Sequence, residues 1–186
     1  MSASDPHSAP GRLETLRSFL NTRSLEDGRD DLAAEGSAGV WLREAGLPYN
    51  DLSEEGLARL RALREALREA FLAHNGQRDP GAAQRLLAGF LSRARLRLEW
   101  DGVSPVPQLR PDPSAANVTE SALLAIVYDA MANGTWFRMK ACRKESCRWA
   151  FYDGSKNGSG AWCSMAICGN RVKAQRRRAR VTKVGP

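Results

Sequence analysis

Apolar residues in the first two thirds of the chain recur every three or four positions, which predicts a series of amphipathic helices. The first predicted helix follows Gly11 and ends at Asn21-Thr22. Ser37 is a candidate N-cap for a short second helix, and Gly46 supplies its C-terminal stop. The opening third of the chain is therefore predicted to be helical.

Stronger boundary signals mark the next three helices. Ser53 precedes two acidic residues, which favours a helix N-terminus there, and the apolar face that follows ends at Asn75-Gly76. Asp79-Pro80 combines a cap with proline at the first helical position. Asn117 with Glu120 resembles a capping box, so a further helix is expected after it.

The hydrophobic period changes from helical to alternating between the fourth and fifth of these helices. Leu96, Leu98 and Trp100 alternate with charged residues, which predicts a half-buried strand. Asp101-Gly102 supplies a turn, and residues 103–109 are expected to form a return strand that its two prolines confine to a sheet edge. We therefore predict one helical domain over residues 12–134 that includes a small β-hairpin.

Neither end of this domain suggests a membrane segment. Residues 1–11 are rich in Ser, Ala and Pro and lack an apolar run, so we expect a flexible tail rather than a signal peptide. The longest apolar stretch, residues 122–132, is interrupted by Tyr128 and Asp129 and is too short to span a bilayer. A cytoplasmic protein without a membrane partner is the expectation.

Charge is distributed very unevenly along the 186 residues. The last 50 residues hold 13 Lys/Arg and two acids, a net charge of +11, whereas the first 136 have a net charge of −4. A strongly basic segment on an otherwise acidic chain favours a polyanionic partner. A merely solvated basic tail is the alternative.

All four cysteines lie in the basic segment and form two pairs with the same internal spacing. Cys142 and Cys147 enclose four residues, as do Cys163 and Cys168. Two short cysteine pairs provide the tetrahedral thiolate shell of a structural zinc ion. A segment of 50 residues builds little apolar core, so one bound Zn²⁺ would also supply folding energy.

The flanking residues predict the local fold of this module, residues 135–186. Residues 136–140 and 148–152 are expected to pair as a hairpin around the first cysteine pair. A Gly/Ser/Asn-rich loop follows, and Ser164 is a cap for a helix that contains Cys168. Hairpin, loop and basic helix around one metal form a treble-clef-like arrangement. The fold class is thus a mainly α N-terminal domain with a small hairpin, joined to a zinc module with four cysteine ligands.

Four cysteines also have other uses in proteins. A redox dithiol usually has only two residues between its cysteines, fewer than the four found here. A catalytic zinc usually has histidine or carboxylate ligands, and the two histidines, His7 and His74, are remote from the cysteines in sequence. An iron–sulfur cluster also takes four cysteines and stays open at this point. The sequence shows no nucleophile–base pair or phosphate loop, so no enzymatic activity is expected.

The cysteine segment resembles a known family. The run from Cys142 through Cys147-Arg-Trp-Ala-Phe-Tyr-Asp153, and then Trp162-Cys-Ser-Met-Ala to Cys168-Gly-Asn-Arg171, is similar to the CGNR zinc finger. Upstream, three short segments resemble the ABATE-type domain that accompanies this finger: Phe19-Leu20-Asn21-Thr22, Trp41-Leu42 and Arg64-Glu65-Ala66-Leu67. The resemblance implies a bacterial stress-induced transcription regulator.

The segment after Cys168 supplies candidate nucleic-acid contacts. Lysine and arginine neutralise phosphates, arginine reads guanine, and asparagine reads adenine. Asn170 has an alternative role in satisfying groups near the metal, as Trp149, Phe151 and Trp162 have in packing around it. The candidates are Asn170, Arg171, Lys173, Arg176, Arg177, Arg178 and Arg180.

Two functions of different classes follow. The first is a DNA-binding transcription regulator whose helical domain senses a ligand or mediates association, as in a homodimer. RNA binding is a variant of it, because charge alone does not distinguish the two nucleic acids. The second is a zinc-stabilised module that binds an acidic protein. Asn21, Thr22 and Trp41 are candidates to line a ligand pocket, although capping and core packing explain them more simply.

Overall fold

The structure is a computed structural model that describes residues 8–100 and 102–174. Helices dominate the described part of the chain, and two antiparallel hairpins accompany them, which confirms the predicted fold class. The elements are α1 (Leu13–Asn21), α2 (Glu35–Glu44), α3 (Glu54–His74), α4 (Pro80–Leu91), β1 (Leu96–Glu99), β2 (Gln108–Pro111), α5 (Val118–Ala132), β3 (Met139–Ala141) and β4 (Ala150–Tyr152).

Two of the predicted helix caps are present. The hydroxyl of Ser53 accepts a hydrogen bond from Gly56 N, and the Asp79 carboxylate accepts from Gly81 N and Ala82 N. Each side chain satisfies backbone donors that the first helical turn leaves without a partner. The starts of α3 and α4 are therefore fixed by local chemistry, as predicted.

Two other predicted side-chain caps are absent, although α5 begins directly after Asn117 as expected. Helix α2 begins before Ser37, whose hydroxyl donates to Ala34 O instead of capping the helix. Asn117 makes no side-chain cap at α5; its amide N–H donates to the Glu120 carboxylate, which also accepts from Arg59 at 3.2 Å. In both cases the side chain forms a different contact from the one that its position suggested.

The β1–β2 hairpin differs from its prediction in burial and in register. Leu98 is 70% exposed and Trp100 is 63% exposed, so the predicted half-buried strand is wrong. The return strand begins only at Gln108, after the two prolines, and pairs Leu96 with Pro111. Proline lacks the N–H that a ladder requires, which delays the pairing.

A single apolar core joins the helices to the second hairpin. Helix α5 is mostly apolar and is buried through most of its length, as expected for a central helix. Strand β3 packs on α3 and β4 packs on α1. Met139, Ala141 and Ala150 of this hairpin are fully buried in the same cluster as Phe71.

The entry into this hairpin also departs from expectation. Residues Trp136–Arg138 form a 3-10 turn, so β3 starts at Met139 rather than at residue 136. Ala9, within the predicted tail, is buried and its amide donates to Glu14 at 2.7 Å. No helix in the described ranges is long and apolar enough to cross a membrane.

Candidate metal centre

The first cysteine pair lies in the turn between β3 and β4. Cys142 N donates to Trp149 O at 2.9 Å, which continues the hairpin ladder by one step. Cys147 N donates to Lys144 O at 2.9 Å and closes a tight turn. Arg148 then adopts a φ of 50°, a left-handed conformation that lets the chain reverse directly after the second cysteine. This turn places both thiols on the same side of the hairpin end.

The second pair is positioned by a helix start. Ser164 accepts a hydrogen bond from Ile167 N, as predicted for a cap. The chain continues as a π-helix over Met165–Gly169 and stays helical over residues 170–174, which together we call the finger helix. Cys168 N donates to Ser164 O at 2.9 Å. Cys163 precedes the helix and Cys168 lies in its first turn, so both thiols face the hairpin.

These elements bring the four predicted ligands together. The sulfur atoms of Cys142, Cys147, Cys163 and Cys168 all lie within 4.8 Å of one another. Cys163 Sγ is 3.6 Å from Cys147 Sγ and 3.7 Å from Cys168 Sγ. Tetrahedral zinc with Zn–S bonds of about 2.3 Å separates its sulfurs by about 3.8 Å. The cluster therefore has the dimensions of a zinc site with four thiolate ligands.

The thiol pKa values explain why the site calls for a cation. Hydrogen bonds from Cys147 and Cys163 lower the pKa of Cys142 to about 2. The hydrogen bond to Cys142 raises the pKa of Cys147 to about 12 and raises that of Cys163 as well, and burial raises the pKa of Cys168. One thiolate thus suppresses ionisation of its neighbours. A divalent cation offsets this repulsion and holds all four as thiolates.

A buried ion pair organises the loop between the two cysteine pairs. Lys140 Nζ lies 2.7 Å from Asp153 Oδ2, and both side chains are at most 6% exposed. Lys140 also donates to the carbonyls of Gly158 and Gly160, while Asp153 accepts from the backbone N–H groups of Ser155 and Gly160. Burial alone would raise the pKa of Asp153, but the bonds from Lys140 and Ser155 outweigh it and lower the pKa to about 2.

Side chains of the helical domain hold the β3–β4 hairpin by its backbone. The Asn21 amide donates to Ala150 O at 3.0 Å and accepts from Ala150 N at 2.8 Å. Arg68 donates to Arg148 O at 2.8 Å, and Asn75 donates to Ala141 O at 2.8 Å. These contacts reach both strands and the turn that carries Cys147.

Asn21 therefore has a role that sequence reasoning missed, since its side-chain amide binds the backbone of β4. The neighbouring Thr22 hydroxyl donates to Phe19 O at 2.7 Å and accepts from Arg64 at 2.9 Å. Arg64 is fully buried and binds Asp30 through two hydrogen bonds of 2.7 Å each. The sequence contained one signal for these contacts: Arg64 and Arg68 are spaced four apart and so share a face of α3. Arginines that are buried on such a face require hydrogen-bonding partners.

The predicted nucleic-acid contacts divide into described and undescribed residues. Asn170, Arg171 and Lys173 are exposed on the finger helix, directly after Cys168. Arg171 lies 3.4 Å from Glu26 of the helical domain, and the same carboxylate pairs with Lys144 at 2.6 Å. The remaining candidates, Arg176, Arg177, Arg178 and Arg180, lie outside the described residues.

Several other basic side chains of this segment are engaged in structural contacts. Lys140 is buried in its ion pair, and Arg138 donates to the carbonyls of Asp153 and Ser155. Arg143 donates to Asn75 O at 2.7 Å. These residues therefore stabilise the module and its docking on the helical domain.

The aromatic residues near the cysteines pack around the site. Phe151 is 1% exposed, and Trp149 and Trp162 are half-buried against the cysteine cluster. Packing therefore accounts for them better than stacking on bases. Met165, in contrast, is 48% exposed.

The hairpin, the loop and the finger helix around four cysteines define a zinc-finger protein with an appended helical domain. Residues 138–181 match the CGNR zinc finger, and residues 16–133 match the ABATE family, described as "Putative stress-induced transcription regulator". The ABATE match spans more than half of the chain, and the protein belongs to this family. Comparison with curated proteins finds no match. The predicted resemblance is confirmed, and the cysteine geometry and the finger match are consistent with one structural Zn²⁺.

Proposed function

We propose that this protein is a transcription regulator that binds DNA through its zinc-ordered finger helix. The observation that carries the proposal is the exposure of Asn170, Arg171 and Lys173 in the turn that directly follows Cys168. A thiolate ligand fixes the start of this turn, so the basic side chains emerge from a rigid point. Lysine and arginine held in this way neutralise phosphates along a DNA groove.

Charge supports the same assignment. The segment has a net charge of +11, and the cluster of four arginines and Lys173 follows the metal site within 12 residues. Because Lys140, Arg138 and Arg143 are used internally, we assign the cationic surface to Arg171 and Lys173 of the finger helix and to the arginines that follow them in the sequence. We assign phosphate contact to this surface and a binding role, rather than a catalytic one, to the protein.

The helical domain acts as the sensing or association unit of the regulator. Its contacts with Ala150, Arg148 and Ala141 are hydrogen bonds to the backbone, which persist whatever side chains the finger carries. A change in α1 or α3 is thereby transmitted to the hairpin that holds Cys142 and Cys147. Family membership supports a stress-induced role in the cytoplasm.

Neutralising the basic continuation tests the proposal. The triple variant Arg176→Ala, Arg177→Ala and Arg180→Ala should keep one zinc per chain and bind duplex DNA more weakly. The slope of log K against log salt concentration should fall in magnitude by up to about three. The matched control replaces three exposed arginines of the helical domain, Arg43, Arg85 and Arg93, and should bind as the wild type does.

Each outcome has one meaning. Equal binding by both triple variants would reject the arginines that follow the finger helix in the sequence as DNA contacts. Tighter binding to single-stranded or hairpin RNA than to duplex DNA would move the assignment to RNA. No nucleic-acid binding at low salt, together with capture of an acidic polypeptide, would favour the protein-interaction module.

A further inference from the structure

A cavity of about 390 Å³ lies beside the Trp136-Phe137 turn that precedes β3. Its walls come from the second half of α3, from α4, from Met131 at the end of α5 and from the Trp136-Phe137 turn. An engineered cavity of about 150 Å³ accommodates benzene, so this one has room for two fused rings. Its size falls within the usual range of small-molecule sites.

None of the residues that line this cavity is Asp, Glu, Lys or Arg, although these four types make up 26% of the chain. Small side chains create the space, among them Ala73, Ala83 and Ala88. The wall contains no carboxylate, lysine or arginine, and its one imidazole, His74, is neutral at pH 7, so a charged ligand would lose its hydration without compensation. The occupant that fits is neutral and largely apolar.

Aromatic rings form one wall of the cavity. His74 stands edge-on to Trp136 at 5.0 Å and to Phe137 at 5.1 Å between ring centroids. Of the other lining residues, Phe137 is 70% exposed and Met131 is 44% exposed. A flat aromatic molecule would contact these rings and cover apolar surface that is otherwise in water.

His74 supplies a directional polar group. Its Nδ1 lies 2.8 Å from Met139 O, and a carbonyl only accepts, so Nδ1 carries the hydrogen. Burial lowers the pKa of His74, which keeps the ring neutral at pH 7 and leaves Nε2 as an acceptor. Among the described residues, Nε2 has no hydrogen-bond partner.

We propose that this cavity binds a neutral, flat aromatic molecule of about two rings that donates one hydrogen bond, as a phenolic hydroxyl does, to His74. This deepens the ligand-sensing part of the proposed function and rests on it for its regulatory meaning. Trp136 and Phe137 lie directly before β3, which leads to Cys142, so an occupant contacts the segment that enters the finger.

Calorimetric titration of the zinc-loaded full chain, without DNA, tests the inference with three naphthalenes. 2-Naphthol should bind saturably at one site. 2-Methoxynaphthalene, which cannot donate, should bind about fivefold more weakly, the size of one neutral hydrogen bond. Naphthalene-2-sulfonate should not bind, because its charge would enter an uncharged cavity.

Two variants and one control localise the binding. Ala88→Phe fills the cavity from an exposed position of α4 and should weaken 2-naphthol by at least about tenfold, whereas Ala58→Phe, exposed on α3 outside the cavity, should change nothing. His74→Phe should remove the preference for 2-naphthol over its methyl ether.

Equal binding of 2-naphthol to the Ala88→Phe and Ala58→Phe variants would overturn the inference, as would no binding to the wild type. Light scattering under the same conditions identifies a homodimer, and a dimer that excludes 2-naphthol would also overturn it. Because the titration contains no DNA, its result does not depend on whether the protein binds DNA. The cavity proposal and the DNA-binding proposal can therefore fail separately.

Discussion

The buried ion pair of Lys140 and Asp153 should govern the stability of the metal module. Asp153→Asn keeps the size of the side chain but removes its charge and turns one acceptor oxygen into a donor. Lys140 would then be 6% exposed without a counter-ion, and Ser155 or Gly160 would face an N–H group. Breaking one partner of a buried pair costs about 3–5 kcal/mol, and the remaining amide oxygen lowers this to about 2–4 kcal/mol.

The pKa of Asp153 gives a second measure of the same interaction. Its displacement from 3.8 to about 2 corresponds to about 2 kcal/mol of folding free energy. Since the folded-state pKa is lowered, this stabilisation is present above pH 3.8 and is lost as the pH falls towards 2. The difference in free energy of unfolding between wild type and Asp153→Asn should therefore reach its full size at pH 7 and decrease as the pH falls below about 4.

Urea unfolding at pH 7 and a fixed excess of zinc measures the effect. With a slope of about 2 kcal/mol/M, the midpoint should fall by about 1–2 M. Asp129→Asn is the matched control, since its pair with Arg12 is about 40% exposed and should contribute less than about 1 kcal/mol. Equal midpoints for the two variants would refute the reasoning, because the buried pair would then be worth no more than a surface pair.

Three further changes probe the metal, the docking and the electrostatics. Cys163→Ser should lose zinc and unfold the C-terminal region, and a protease-resistant, metal-free variant would contradict a structural role for the ion. Asn21→Leu leaves the N–H and C=O of Ala150 without their hydrogen-bond partner and should lower the free energy of unfolding by about 2–4 kcal/mol, while zinc stays at one per chain. Unchanged hydrogen exchange at the Ala150 amide would disprove the contact. Glu26→Gln removes a carboxylate 3.4 Å from Arg171 and should raise duplex affinity a few-fold in low-salt anisotropy titrations, with no change at high salt; equal low-salt affinities would show that Glu26 does not shield the finger helix.

Features decided within a few residues were predictable from the sequence. The caps at Ser53 and Asp79 act on the next turn of their own helices. The cysteine pairs were recognisable because both turns that carry them are local, and only the meeting of the pairs is long-range. Ser164 likewise acts on Ile167. Residue composition and spacing were thus sufficient to predict the four metal ligands and most of the local structure that carries them.

Features that depend on a distant partner were not predictable. Asn21 and Ala150 are 129 positions apart, and neither carries a local mark of their pairing. Helical spacing places Arg68 on a face of α3, but only the folded chain brings its guanidinium to the turn after Cys147. The alternation through Leu98 suggests burial, but a strand is half-buried only where another layer covers it, and Leu98 stays 70% exposed.

Duplex DNA binding by the full-length chain, measured with and without its zinc, tests the central claim most directly. Fluorescence anisotropy at about 50 mM and about 200 mM salt, paired with elemental analysis of the same sample, supplies the numbers. We predict one zinc per chain, an affinity that falls about a hundredfold between the two salt concentrations for about four phosphate contacts, and loss of binding on chelation. A zinc-loaded chain that does not bind duplex DNA at the lower salt concentration would contradict the account.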